Sequence, residues 1–205
     1  FLANIREVDA IAHVLRCFDD PDVTHVSGSV DPVRDRDIVE TELALSDLEL
    51  VERRLDKVAK KAKSGEKDAI REEAVLRKAL EPLSDGKPVR SLTLTDDERH
   101  LLRQYQLLTM KPILYVTNVG EGDLPEGTNA WTDAVAEAIR GESDAQIVPV
   151  CSTIEAELAE LEPDERAEFL ADLGLEERGL DRLIHAAYEL LGLVTYFTTG
   201  ENESR

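Results

Sequence analysis

The sequence predicts an α/β fold in which a parallel sheet covered by helices is interrupted by a long antiparallel helical hairpin. Three observations lead there. Apolar runs at residues 10–18, 113–117 and 145–150 are short, and the last two alternate with helical patterns; such alternation favours a parallel sheet with helices on its faces. Between Arg36 and Met110 the period changes, with Ala44, Leu48, Val51, Leu55, Val58 and Ala62 spaced alternately four and three residues apart, the seam of paired helices. With 205 residues and 42% hydrophobic content, the chain can bury a core.

Taken in order, Ala10 to Phe18 reads as a buried strand and Asp19-Asp20-Pro21-Asp22 as its loop. His13 lies inside that run and is expected to be a core residue. The first helix of the insertion follows, Ser64-Gly65 turns the chain, and Ala69, Leu76, Ala79 and Leu83 share one face of the returning helix. Ser84-Asp85-Gly86-Lys87-Pro88 breaks that helix. Thr95-Asp96-Asp97-Glu98 starts a third one, with Leu94, Leu101, Tyr105 and Leu108 at compatible intervals. Then come a strand at Ile113 to Thr117, a helix over Asn129 to Arg140, a strand at Ala145 to Val150 and a helix from Ser152. Ser152 with Glu155 has capping-box spacing. Pro163-Asp164-Glu165 opens a short helix that Gly174 stops. A last helix from Gly179 to Leu191 carries Leu180, Leu183, Ile184, Ala187 and Leu191 at helical spacing, so it packs on the sheet or leads away from it.

A net charge of -20 argues against nucleic-acid or anionic-membrane binding by the bulk surface. Any polyanion contact must be local, and one place offers it. Lys57, Lys60, Lys61, Lys63 and Lys67, five of the eight lysines, gather at the hairpin tip beside Arg53, Arg54 and Arg71. Glu49 and Asp56 stand four residues before Arg53 and Lys60, spacing that neutralises part of the charge, so a solvated face is the rival reading. Cys17 and Cys151 lack metal-ligand or C-x-x-C spacing and are expected to be reduced core residues. No apolar run approaches a membrane span and no secretory signal is present, so the expected location is the cytoplasm.

The chemistry concentrates in Asn118-Val119-Gly120-Glu121, which follows the apolar run Pro112 to Thr117. Ligands of open α/β sheets sit beyond the carboxyl ends of buried strands. Asn118 begins such a loop, and Cys151-Ser152-Thr153 ends the neighbouring strand. Where ordinary P-loop GTPases read guanine with Asn-Lys-x-Asp, Val119 removes the lysine and Glu121 lengthens the carboxylate. Adenine, with an amino donor and a ring acceptor, can instead be met by backbone groups around Val119 and by the Asn118 amide.

The Asn-Val-x-Glu pattern resembles the YchF, or Obg-like ATPase, family. So do Phe1 to Ala10, His25 to Pro32, Thr41-Glu42-Leu43 and Leu193 to Gly200, in the same order. The resemblance implies the C-terminal half of a P-loop NTPase sheet of Ras-like or Obg-like kind, with an inserted coiled-coil hairpin. It divides the chain into residues 1–35 and 111–192 of a nucleotide-binding domain, a hairpin at 36–110, and the start of a TGS domain at 193–205, opening with a strand from Leu193 to Thr198. It also implies ATP hydrolysis to ADP and phosphate with Mg2+ in the intact protein, and ribosome association, with the lysine-rich tip as the candidate contact to ribosomal RNA. The implied base-site residues are Asn118 for the base edge, Val119 for its backbone and ring contact, Glu121, and Ser152 for loop support. No Gly-x-x-x-x-Gly-Lys-Ser/Thr occurs in the sequence, so the phosphate cradle and the Mg2+ hydroxyl are absent from it. The expectation is therefore an internal piece that recognises the base without catalysing hydrolysis, its Mg2+ ligands lying in an N-terminal part. Two alternatives stay open: a GTPase using the same site, and a non-catalytic scaffold whose hairpin binds a partner.

Overall fold

The computed structural model describes residues 2–23, 28–142 and 144–197. A short helix α1 (Leu2–Arg6) precedes three parallel strands, β1 (Ile11–Cys17), β2 (Ile113–Val119) and β3 (Ala145–Val150), which form a sheet in that order. Register is continuous: Ile11 lies opposite Ile113, and Ile113 opposite Ala145. The central strand β2 is buried on both faces from Ile113 to Thr117, which is why its sequence is continuously apolar.

The two faces of the sheet are covered unequally. On one, Leu15, Cys17, Ile113, Tyr115 and Val119 pack with α5 (Ala130–Ala138), α6 (Ser152–Glu160) and α7 (Pro163–Asp172) through Val135, Ile154, Leu158 and Phe169. On the other, Leu114, Val116, Val148 and Val150 meet Leu183, Ala186, Ala187 and Leu190 of α8 (Gly179–Leu190). Helix α8 packs on β3 and β2, and the apolar cluster beneath it contains no described residue of β1. The first strand is accordingly not buried throughout as its apolar run predicts: Val14 is 61% exposed, and only Leu15 and Cys17 are fully enclosed. Ile184, expected on the inner face of α8, is exposed.

The hairpin is α2 (Pro32–Lys63) and α3 (Lys67–Ser84), joined by a turn in which Gly65 takes a positive φ of 87°. Asp31 caps α2, accepting from the Arg34 N–H, and Pro32 occupies the first turn, where its missing N–H costs nothing. At 32 residues α2 is about 48 Å long. The predicted seam forms its buried face, with Ala44, Val51, Leu55 and Val58 enclosed against Ala69, Leu76, Ala79 and Leu83, and Leu48 and Ala62 packed at the margin. The third helix, α4 (Asp96–Arg103), carries the expected Thr95–Glu98 capping box but ends earlier than its apolar spacing suggests. Gln106 turns the chain with φ 49°, and Leu108–Met110 form a 3-10 turn that leads into β2. Residues 193–197 form no strand, because a strand needs a hydrogen-bonded neighbour and no described strand lies beside them; the rest of that expected strand, Thr198, lies outside the described residues, as do residues 24–27 of the His25–Pro32 motif.

Two buried polar junctions bind the hairpin to the sheet. In the first, Asp47 of α2, fully enclosed, accepts from the N–H groups of Leu108 and Thr109 (3.0 and 2.8 Å), from the Thr109 hydroxyl (2.9 Å) and from the Arg6 guanidinium (2.9 Å). In the second, the Tyr115 hydroxyl donates to Glu40 (2.8 Å) and accepts from Arg36 (3.2 Å), while Arg90 pairs with the same Glu40 oxygen and Arg36 with Glu142. Burial, with Glu40 beside it, pushes the Tyr115 hydroxyl up to about 12, so it stays a donor. His13 stands half-buried beside the Tyr115 ring, and burial lowers its pKa.

Removing one partner of a buried charged cluster leaves the others uncompensated, at about 3 to 5 kcal/mol. Asp47→Ala is expected to lower unfolding stability by that amount in urea titration, whereas Asp47→Asn, which keeps an acceptor for one of the two N–H groups, loses less.

Candidate base-recognition site

The carboxyl ends of β2 and β3 meet around Asn118. Its Oδ1 accepts from both the backbone N–H (3.0 Å) and the hydroxyl (2.8 Å) of Ser152. A backbone N–H can only donate, so the amide orientation is determined by its partner, and the Nδ2 donor faces away from Ser152. That Nδ2 makes no hydrogen bond among the described residues. The arrangement also satisfies one of the four N–H groups that the first turn of α6 leaves without a helical partner.

The expected capping box at Ser152 does not form. Cys151 is the N-cap, Ser152 already belongs to the helix and turns its hydroxyl to Asn118, and the Glu155 carboxylate reaches the other way. It accepts from the Gly179 N–H at 2.7 Å and from Arg178 at 3.2 Å, holding the start of α8. Ser152 thus ties the first turn of α6 to Asn118 near the end of β2.

Val119 is the last residue of β2, and its side chain is 2% exposed inside the core with Cys17 and Leu15. A residue enclosed to this extent offers no surface to a base ring, so the expected ring contact gives way to core packing. Glu121 is exposed in a 3-10 turn, Glu121–Asp123, and its carboxylate has no partner among the described residues. Asn118, expected to begin the loop, is instead the penultimate residue of β2, in register with Arg16 and Val150, so the free donor lies on the strand end and the free Glu121 acceptor on the turn that follows it.

Two further residues shape this loop. Asp123 Oδ2 accepts from the Gly120 N–H (3.1 Å) and from Asn129 Nδ2 (2.8 Å), and the same Nδ2 donates to the Cys17 carbonyl (2.8 Å). Asn129 Oδ1 caps α5, accepting from Trp131 and Thr132. An Asn directly before a helical pattern signals the cap, but its reach to β1 is a tertiary contact that spacing does not reveal. Arg16 organises the facing loop through the carbonyls of Phe18, Asp20 and Val23.

With this geometry in view, comparison with known proteins decides the family. Aligned along its entire length, the chain is 49% identical to the Ribosome-binding ATPase YchF of Haemophilus ducreyi and 49% identical to that of Bacillus subtilis, covering 56% of each relative. The chain belongs to the YchF family. The solved structure of the Schizosaccharomyces pombe YchF GTPase superposes with a TM-score of 0.86 at 31% identity, again over 100% of this chain and 56% of that one. The chain therefore spans a little over half the length of the YchF proteins it matches. No family model matches. The α/β fold with a small parallel sheet agrees with the YchF structure.

The site holds the two cysteines in its floor. Both are buried and unpaired, and burial, with the Asp123 charge nearby, pushes the Cys17 thiol up to about 12. The folded protein keeps a proton that the unfolded chain gives up in the ordinary thiol range, so this group's contribution to stability falls as pH rises toward 12. Cys17 is expected to resist alkylation by iodoacetamide at about pH 8 in the native state and to react on unfolding, which peptide mass spectrometry would resolve.

Proposed function

We propose that this chain is the base-recognising portion of a ribosome-associated, ATP-preferring YchF ATPase. The observation that carries the reading is the Asn118–Ser152 contact, which consumes the acceptor of the amide and leaves its donor free at the end of the central strand. A donor there suits a purine ring nitrogen, and the backbone carbonyls at the end of β2 suit the adenine amino group. Glu121 stands at the rim with its carboxylate in solvent. A base that leaves buried polar atoms unpaired is disfavoured by about 1 to 3 kcal/mol, enough for discrimination.

The residues present do not fit the rest of the nucleotide. No phosphate-loop motif occurs in the sequence, and among the described residues no group of three or more His, Cys, Asp or Glu is placed to hold a metal ion. Phosphate and Mg2+ chemistry belongs, in this reading, to the part of the family's length that this chain does not cover. The chain by itself is expected to be inactive in hydrolysis. No described helix is long and apolar enough to cross a membrane, which is consistent with a cytoplasmic place beside the ribosome.

A second reading, guanine recognition at the same site, is favoured by the free Glu121 carboxylate, which can accept from a guanine edge, and by the GTPase name of the fission-yeast relative. Titrating AMP and GMP into the 15N-labelled chain separates the two, since the base rather than the phosphates then decides. Preferential AMP shifts at the amides of residues 118–121 and 152 are expected, and Asn118→Ala abolishes them. A GMP preference that Glu121→Ala removes would establish the second reading; no response to either would leave the hairpin as the functional part.

The hairpin is read as the ribosome-binding element. Lys57, Lys60, Lys61, Lys63 and Lys67 are all exposed at the tip, and none forms an ion pair among the described residues; Arg53 donates to the Glu49 backbone carbonyl at 3.3 Å. Replacing Lys60, Lys61 and Lys63 by Glu is expected to weaken binding to ribosomal RNA and to flatten its salt dependence, by about 0.9 in the log–log slope for each phosphate left without its lysine.

A further inference from the structure

The loop that carries Glu121 is closed by more hydrogen bonds than a strand-to-helix connection requires. Gly120 and Asp123 are reciprocally bonded, the Gly120 N–H to Asp123 Oδ2 and the Asp123 N–H to the Gly120 carbonyl, both at 3.1 Å. The Leu124 N–H closes on the Glu121 carbonyl at 3.2 Å, and the Gly127 N–H on the Asp123 carbonyl at 2.7 Å. Glu121 therefore sits on a backbone held on both sides while its own side chain stays in solvent.

Asn129 anchors this closed turn to the rest of the sheet. Capping α5 needs only an acceptor, which Ser, Thr or Asp would supply equally. Asn adds a donor group. Its Nδ2 bridges Asp123 Oδ2 and the Cys17 carbonyl, both at 2.8 Å, so one side chain ties the end of β1, the turn after β2 and the first turn of α5. All four of its hydrogen-bonding positions are used. A Ser or Thr in its place would cap the helix but has one donor where the bridge uses two, and an Asp would set a second carboxylate against Asp123 and the Cys17 carbonyl.

We propose that Asp123 and Asn129 are positioning residues that set the base selectivity of the site, holding the Gly120–Asp123 turn so that Glu121 and the end of β2 keep a fixed offset from the Asn118 amide. The inference deepens the base-recognition reading and rests on it. Discrimination between two purines depends on donors and acceptors being aligned within fractions of an ångström, and a turn cut free of β1 and α5 lets Glu121 wander relative to Asn118. Neither residue touches the base; each acts through the backbone of residues 120–123.

The test uses the 205-residue chain, AMP and GMP as probes, 1H–15N spectra for affinity and thermal unfolding as a control. Asn129→Ser keeps the acceptor that caps α5 and loses the bridge. It is expected to weaken the preferred monophosphate about tenfold, the equivalent of one aligned hydrogen bond, and to bring the AMP-to-GMP ratio toward parity, with the unfolding midpoint little changed. Asp123→Ala leaves the α5 cap intact and serves if the serine variant folds poorly; it should produce the same loss of ratio, while Asp123→Asn, which retains an acceptor, should preserve it. A folded Asn129→Ser or Asp123→Ala variant with the wild-type ratio overturns the proposal. A wild-type preference for GMP that these variants erase supports it while removing the ATP reading. Wild-type chain that binds neither monophosphate overturns base recognition itself, and this inference with it.

Discussion

A carboxylate entirely out of water holds the two ends of the helical excursion together. Asp47, about four turns into α2, receives the N–H groups of Leu108 and Thr109, the Thr109 hydroxyl and the Arg6 guanidinium. Each of these partners belongs to a segment that must be placed before the sheet can close: α1 ahead of β1, and the turn ahead of β2. A buried charge is tolerable only when its lone pairs are occupied, so the chain has one arrangement in which all of these segments are satisfied at once. Strands β1 and β2, separated in sequence by the whole helical insertion, are thus each preceded by a segment tied to Asp47.

The second polar junction continues the same logic along the strand. Tyr115 lies three residues before Asn118 on β2, and its hydroxyl is embedded among Glu40, Arg36 and Arg90 of the hairpin base, with Glu142 from the connection into β3. The base of the hairpin and the base-reading end of the sheet are thus parts of one packed body, although the hairpin tip stands about 40 Å away by the length of α2. Tip and strand are joined by a helix without a break and by a charged cluster at its root.

The charge distribution follows a similar division of labour. A chain of net charge -20 repels polyanions over most of its surface, and five of its eight lysines are gathered at the tip of the hairpin. Toward the tip the inner rows of the same helices are apolar and closed, with Val51, Leu55 and Val58 against Ala69 and Leu76, so the basic end is supported by packing and its lysine side chains remain in solvent.

Local chemistry and periodicity determined the element types here. The central and third strands, the four-three seam of α2, the Thr95 capping box and the turn at Gly65 follow from propensity, spacing and φ preferences that act within a few residues. Asn118 was legible only in part: a polar residue ending a continuously apolar run signals that a strand end is near, but β2 continues through Val119. Only the tertiary structure decided which strand face was covered, since Val14 lies in an apolar strand run yet is 61% exposed, and which way the polar side chains turned. Ser152 and Glu155 have capping-box spacing yet serve Asn118 and the start of α8, because partners on neighbouring elements offered them better hydrogen bonds than their own helix did. Val119 likewise reads as a rim residue and packs as core. Asp47 and Asn129 have partners 62 and 112 residues away, a distance at which no local pattern carries information. Those contacts exist only once the sheet has brought its strand ends together.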